Sequence, residues 1–140
     1  MLDKWGDLRV KMLMAGLCML LLTAAAANLG LAQRVIDPKS LVGDWTGEWS
    51  IPETGTTNRV HIAVKSVQDD GHVEGTIYMS GPAAYHNRDL KLVDASIRGG
   101  RLIFRVAENP DLVFDFGVNG GEMTALLAGT SGPLEFHLKR

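Results

Sequence analysis

The chain has 140 residues, of which 46% are hydrophobic and 21% are charged, so it is long enough for one domain with a substantial core. Its formal net charge of −2 argues against nucleic acids and anionic membranes as partners, because both require a basic face. A single cysteine excludes a disulfide within the chain.

The N-terminal segment has the pattern of a secretory signal peptide. Basic residues precede a long apolar run, which is followed by small residues at the positions that a signal peptidase reads: Lys4, Arg9 and Lys11, then Met12 to Ala27, then Gly30 and Ala32. We therefore predict a signal peptide over 1–32 and a single secreted or periplasmic domain over 33–140. The alternative is an uncleaved membrane anchor, because the run approaches the length that spans a bilayer.

Cleavage after residue 32 would change both the charge and the redox chemistry of the protein. It removes three basic and two acidic residues, so the 14 basic and 16 acidic residues fall to 11 and 14, and the net charge becomes −3. The only cysteine, Cys18, lies in the removed segment. The mature domain must then be stable through packing alone, even in an oxidising compartment.

The remaining sequence predicts an all-β domain. Apolar and polar residues alternate with a period of two, and no segment keeps a helical period for three turns. Eight strands are predicted, at approximately 43–51, 58–68, 72–80, 89–97, 101–107, 111–118, 121–128 and 133–139.

Three residue pairs predict tight hairpin turns, since they tolerate positive φ angles: Asp70-Gly71, Gly99-Gly100 and Asn119-Gly120. Each turn fixes a register, and each register gives an apolar inner face. The predicted facing pairs are Ile97–Leu102, Ala95–Phe104 and Val93–Val106; Phe116–Met123, Phe114–Ala125 and Leu112–Leu127; and Val64–Ile77 with Ile62–Met79. Asp94 is expected to face Arg105 on the outer side.

Eight short strands joined by hairpins predict an up-and-down antiparallel barrel in which the first strand closes on the last. A two-sheet sandwich is the alternative. A membrane barrel would be apolar outside, whereas the outward positions here are polar: Lys65, Glu74, Asp94, Arg105, Asp115, Glu135 and Lys139. The tight turns should form a closed floor and the longer loops an open mouth.

Gly43-Asp44-Trp45, near the start of the first strand, resembles the Gly-x-Trp signature of the calycin superfamily, the lipocalins and their relatives. The resemblance implies that Trp45 packs across the closed end with a basic residue of the last strand against it, here Lys139 or Arg140. Gly43, Trp45 and Arg140 are thus expected to be structural. The helix and disulfides common in lipocalins are absent from the sequence. The chain is also similar in size and topology to small periplasmic barrel inhibitors of metalloproteases.

The candidate ligand-binding residues lie at the predicted mouth. Trp49 points inward one pleat above Trp45 and could line a cavity, although core packing would also explain it. The longest loop, Ser80 to Leu90, carries Tyr85, His86, Asn87, Arg88 and Asp89. Loops on a rigid scaffold commonly carry recognition, and a solvated loop without a role is the alternative. The predicted ligand-binding residues are Trp49, Tyr85, His86, Arg88 and Asp89.

We predict no catalytic set, no metal site and no cofactor. The four histidines, His61, His72, His86 and His137, are scattered without metal-ligand spacing. No serine lies in an elbow turn, and no inward carboxylate suggests a perturbed acid or base. An apolar outer patch of Ile103, Val113 and Leu126, with Val113 opposite Leu126, predicts a possible homodimer face.

Two functions follow from this pattern. One is a non-enzymatic barrel that binds a small apolar ligand through its mouth, with Tyr85 and Arg88 contacting any polar group. The other is a solid barrel that presents its mouth loops or segment 33–41 to a partner protein. An eight-stranded barrel is at the size where side chains either fill the interior or leave room for one small ligand, so the interior volume decides between them. Avidin-like biotin binding is disfavoured because the residues predicted to point into the barrel lack the polar groups that bind the ureido ring of biotin.

Overall fold

The structure, a computed structural model, describes residues 36–129 and 132–140. The predicted signal peptide lies outside the described residues. A short 3-10 helix, Pro38–Leu41, precedes nine strands. They are β1 Gly43–Ile51, β2 Thr56–Val67, β3 Val73–Met79, β4 Asp89–Lys91, β5 Val93–Arg98, β6 Arg101–Val106, β7 Asn109–Asn119, β8 Glu122–Gly129 and β9 Gly132–Lys139.

The strands form one antiparallel sheet that curls into a nearly closed barrel. Their order is β4-β3-β2-β1-β9-β8-β7-β6-β5, so that strands adjacent in sequence, except β4 and β5, are adjacent in the sheet, and β1 pairs with β9. The two ends of this order, β4 and β5, are joined through Leu92, and a bridge between His72 and Ser96 draws β5 towards β3. The all-β barrel prediction is confirmed, and the sandwich alternative is wrong. The described residues contain no helix long and apolar enough to cross a membrane.

The predicted fourth strand, 89–97, is divided into β4 and β5, which explains the ninth strand. Between them Leu92 is buried and its N–H donates to the carbonyl oxygen of Gly75 at 3.0 Å. Asp94 then adopts φ +51°, and the pairing of β5 with β6 is irregular between Val93 and Ser96. Val93 therefore pairs with Arg105, and the predicted pairs Val93–Val106 and Asp94–Arg105 are wrong. A bulge displaces the register locally while the inner face remains apolar.

Two predicted hairpin registers are shifted by two residues. In β2 and β3, Ile62 pairs with Ile77 rather than with Met79. In β7 and β8, Met123 pairs with Val118 rather than with Phe116. The second shift arises because the turn occupies Gly120-Gly121, between paired Asn119 and Glu122, and not Asn119-Gly120. An even shift leaves each side chain on its predicted face. The Gly99-Gly100 turn and the Ile97–Leu102 pair are as predicted.

Pairing between β7 and β8 covers only the floor end of these strands. The paired residues are Gly117–Asn119 with Glu122–Thr124, and above them the two strands separate. The predicted pairs Phe114–Ala125, Leu112–Leu127 and Val113–Leu126 are therefore not formed. β7 remains paired with β6 and β8 with β9, so each strand keeps one partner.

The core fills the lower and middle barrel with aromatic and aliphatic side chains. Phe104 stacks on Phe114 and Phe116 at centroid distances of 4.9 and 5.9 Å, and Phe136 packs edge-on against the latter two at 6.1 and 5.5 Å. All buried residues of the described chain that form this core are hydrophobic. Such offset and edge-to-face aromatic contacts add to the stability that burial provides.

Candidate functional site

Trp45 is buried at the floor end of the barrel, where the calycin resemblance implies a structural role. Its indole is 1% exposed, and Nε1 donates to the carbonyl oxygen of Leu41 at 2.9 Å. The guanidinium carbon of Arg140 lies 5.2 Å from the centroid of the Trp45 ring, and Arg140 also donates to the carbonyl oxygen of Val42. Gly43 adopts φ +135°, and a Cβ there would lie 3.4 Å from this guanidinium. These contacts hold Trp45 and Arg140 against each other and against the backbone of residues 41–42.

A cavity of about 350 Å³ lies at the opposite end of the barrel. Its wall is formed by inward side chains of four strands and by the loop between β3 and β4: Trp49, Ile51, Met79, Pro82, Ala83, Tyr85, His86, Leu112, Phe114, Leu134 and Phe136. None of these residues carries a formal charge at neutral pH. The volume falls within the range of small-molecule sites. We call this space the mouth cavity.

Trp49 is fixed at one side of the mouth cavity by packing and by one hydrogen bond. Its indole is 5% exposed, and Nε1 donates to the carbonyl oxygen of Ser80 at 3.0 Å. The ring stacks on Phe136 at 6.3 Å and meets His86 edge-on at 5.4 Å. Trp49 therefore joins the buried core to the loop that borders the cavity.

Gly81 allows the loop to lie directly on these rings. It adopts φ +142°, and a Cβ at this position would lie 2.8 Å from His86 Nδ1 and 2.9 Å from Trp49 Cζ2. Asn87 holds the loop in this conformation: its Nδ2 donates to the carbonyl oxygen of Gly81 at 2.8 Å, and its N–H donates to that of Met79 at 2.7 Å. The close approach requires the absence of a side chain at Gly81.

His86 is neutral at physiological pH. Burial lowers the pKa of its imidazole below the ordinary value of 6.5, because desolvation disfavours the charged form. Its Nδ1 is buried without a hydrogen-bond partner among the described residues. Tyr85 packs edge-on against His86 at 4.8 Å, and its hydroxyl accepts a 3.4 Å hydrogen bond from Asn109 Nδ2. The mouth cavity thus has an apolar wall with two polar groups on the side of the loop, the His86 imidazole and the Tyr85 hydroxyl.

The structure brings together three of the five predicted ligand-binding residues. Trp49, Tyr85 and His86 all line the mouth cavity. Arg88 and Asp89 are not among its lining residues: the Arg88 side chain is 59% exposed and lies 3.9 Å from Glu108, and Asp89 is exposed at the start of β4. The predicted contact of Arg88 with a polar group of the ligand has no support in this arrangement.

Sequence reasoning did not identify the lining residues that come from distant strands. Met79, Leu112, Phe114, Leu134 and Phe136 were expected only as inward core positions. Their distance from the floor turns is the signal that could have placed them at the mouth. Gly81 is also not identifiable from the sequence. A glycine is required there because Trp49 and His86 pack against it, and only the fold brings these two residues to position 81.

The described residues hold no group of three His, Cys, Asp or Glu side chains that could bind a metal ion. Among the scattered histidines, His61 lies on the outer face with Nε2 2.9 Å from Asp44 Oδ1. His137 lies 3.7 Å from Glu122, also outside the barrel. These are exposed surface pairs.

No protein-family model, curated protein or solved structure matches this chain. The calycin resemblance therefore stays a prediction. The functional argument depends on the site alone.

Proposed function

We propose that the protein binds a small, uncharged, apolar ligand in the mouth cavity, and that it does so outside the cytoplasm after removal of its signal peptide. The observation that carries the proposal is a 350 Å³ cavity lined by apolar and aromatic side chains, without a charged group. Removing apolar ligand surface from water contributes about 25 cal/mol per Å². The ordered wall reduces the entropic cost of binding.

The lining also specifies the charge of the ligand. A buried carboxylate or ammonium group needs a partner of opposite charge, and the nearest loop cation, Arg88, extends towards Glu108 instead. A hydroxyl or carbonyl group can be accommodated beside His86 or Tyr85. The protein should therefore prefer a neutral ligand to a fatty acid of the same chain length.

A homologous series of straight-chain alcohols tests the proposal. Each added methylene group should strengthen binding by up to about fourfold, since burying it contributes about 0.8 kcal/mol, until the chain fills the cavity. Decanoate should bind more weakly than decanol. Binding is followed by isothermal titration calorimetry, which does not depend on the number of tryptophans in the protein.

Two neighbouring residues of β7 provide the control. Leu112 lines the mouth cavity, whereas Val113 is 38% exposed on the outer face. Leu112→Trp should weaken decanol binding by filling the cavity, and Val113→Trp should leave it unchanged. Equal affinity of all alcohols, or equal binding by both variants, would refute a site in the mouth cavity.

The alternative of a protein-interaction site formed by the mouth loops has less support. Tyr85 and His86 pack against each other and line the cavity, and neither is fully exposed. Arg88 and Asp89 are the charged side chains of this loop, and they have opposite signs.

A further inference from the structure

The separation of β7 and β8 leaves two strand edges that face a common cleft. Residues 109–116 of β7 have no partner in β8: Asn109 and 114–116 pair with β6, and 110–113 form an irregularity between them. Residues 125–129 of β8 pair only with β9. We call these two segments the seam. Backbone N–H and C=O groups along an unpaired edge can accept another strand, which is why edges are sites of strand addition.

The β8 side of the seam lacks the devices that usually protect a sheet edge, whereas the β7 side carries Pro110, Asp111 and Asp115. The β8 segment, Ala125 to Gly129, contains no charged residue and no proline. Leu126 is 69% exposed and Val113 is 38% exposed, and they are two of the three large hydrophobic residues exposed in the described chain. An apolar, unprotected edge favours the docking of an extended segment.

The cleft outside the seam has a volume of about 680 Å³ and an acidic rim. Glu48, Asp115 and Glu135 line it, with Arg101 as the only lysine or arginine. Arg101 is already paired, since its Nε lies 2.8 Å from Asp115 Oδ1. No ion pair is formed by Glu48 or Glu135 among the residues described. Arg59 lies opposite Glu48 in the β1–β2 pairing, whereas Glu135 lies opposite Ser50 and Leu126. Glu135 is therefore the carboxylate of the cleft without a facing cation, and the lining as a whole carries net negative charge.

We propose that the seam binds an extended basic segment of a partner protein. The segment pairs through its main chain with the free edge of β8. Its outward side chains lie between Asp115 and Leu126, so a lysine or arginine there reaches the acidic rim, and an aliphatic residue two positions away covers Leu126. The acidic rim argues against a second copy of this chain, because pairing two β8 edges would bring two acidic rims together.

A synthetic hexapeptide with blocked ends is the probe. Lysine and valine take turns at every second position and threonine stands between them, so that lysine and valine share one face of the extended peptide. NMR hydrogen exchange on the protein should show the exchange rate of every second amide over Ala125 to Ala128 slowed by about tenfold or more at saturating peptide concentration. A glutamate–valine hexapeptide of the same length should not bind. Alternating N-methylation of the basic peptide should abolish binding, because it removes the main-chain donors.

Matched variants separate edge pairing from general charge attraction. Leu126→Lys places a protective charge on the free edge and should abolish peptide binding. Thr46→Lys adds the same charge on β1, which is paired on both sides, and should retain it. Glu135→Gln should weaken binding by about two- to fivefold, the range of an exposed ion pair. Circular dichroism of each variant checks that the barrel is intact.

The following results would overturn the proposal. One is the absence of peptide binding, and another is binding without amide protection in 125–128 or with equal loss in both lysine variants. A further one is a concentration-dependent dimer that protects these amides without peptide, which would assign the seam to a second copy. The alcohol series probes the mouth cavity separately, so the two proposals can fail independently.

Discussion

Gly81 shows how one position shapes the mouth cavity. A side chain there would occupy the space in which His86 and Trp49 meet the loop, within 3 Å of an atom of each ring. The loop sequence alone shows a glycine before a proline, which is typical of any turn. Its importance comes from the two rings that lie above it.

Gly81→Ala should destabilise the protein and weaken decanol binding. The new Cβ must displace His86 or Trp49, and φ +142° is unfavourable for alanine, so we expect a loss of about 1 to 3 kcal/mol in the free energy of unfolding. Gly55→Ala is the control, because Gly55 has φ +68° but no atom near the added Cβ. Urea unfolding measures both variants. Equal losses would show that the contact with the rings contributes nothing.

His86 should make the mouth pH-sensitive. Its folded-state pKa lies below the unfolded value of 6.5, so the native state favours the neutral ring. The corresponding stability is present above pH 6.5 and is lost as the pH falls through the lowered pKa. We expect decanol affinity and the melting temperature to decline in this acidic range. His86→Phe should flatten this part of both profiles, and an unchanged slope would contradict the assignment to His86.

At the scale of the strand, the division between β4 and β5 is the clearest departure from the predicted pattern. A continuous strand over 89–97 with Val93, Ala95 and Ile97 inward would turn Leu90 and Leu92 outward, yet both leucines are buried. The chain shifts its parity through Asp94 at φ +51°. The sequence signal for this bulge is the apolar pair Leu92-Val93, at which the alternation changes parity. Asp94 itself is a weaker signal, because aspartate is only one of several residues that tolerate this conformation.

Asp94→Gly should therefore stabilise the barrel. Relief of a left-handed conformation outweighs the added chain entropy of glycine, and we expect a gain of about 0.5 kcal/mol in the free energy of unfolding. Asp111→Gly, at an exposed strand position of β7 without a positive φ, should lose a similar amount. Thermal unfolding of both variants checks the sign. A loss of stability in Asp94→Gly would mean that the carboxylate itself contributes.

At the scale of the whole molecule, one aromatic cluster links the sheet around the barrel. Phe104, Phe114 and Phe116 come from β6 and β7, and Phe136 comes from β9. Phe136 also lines both the mouth cavity and the cleft outside the seam. It is the side chain that separates these two spaces where β7 and β8 no longer pair.

Phe116→Ala should reduce the free energy of unfolding by about 3 to 5 kcal/mol, the usual cost of removing a buried aromatic ring. Phe116 is fully buried, and its loss leaves a cavity next to Phe104 and Phe136. Leu126→Ala, on the exposed seam, should change stability by less than about 0.5 kcal/mol. Chemical denaturation compares the two. Similar costs would show that the aromatic cluster is not the principal source of stability.

The sequence by itself determined the class of fold and, except around Leu92 and Val93, the inward and outward faces. These depend on period-two alternation and on turn residues, which are local properties. Face assignments survived register errors of two residues because the side-chain period of a strand is also two.

Tertiary structure alone decided the division of the fourth strand, the opening between β7 and β8, and which side chains meet at the mouth. It placed Trp49, Tyr85 and His86 around one cavity and directed Arg88 away from it. Each of these features depends on how the curved sheet closes and on contacts between residues far apart in sequence, such as Phe114 with Phe136. Closure is a property of the whole sheet, and no short segment of the chain encodes it.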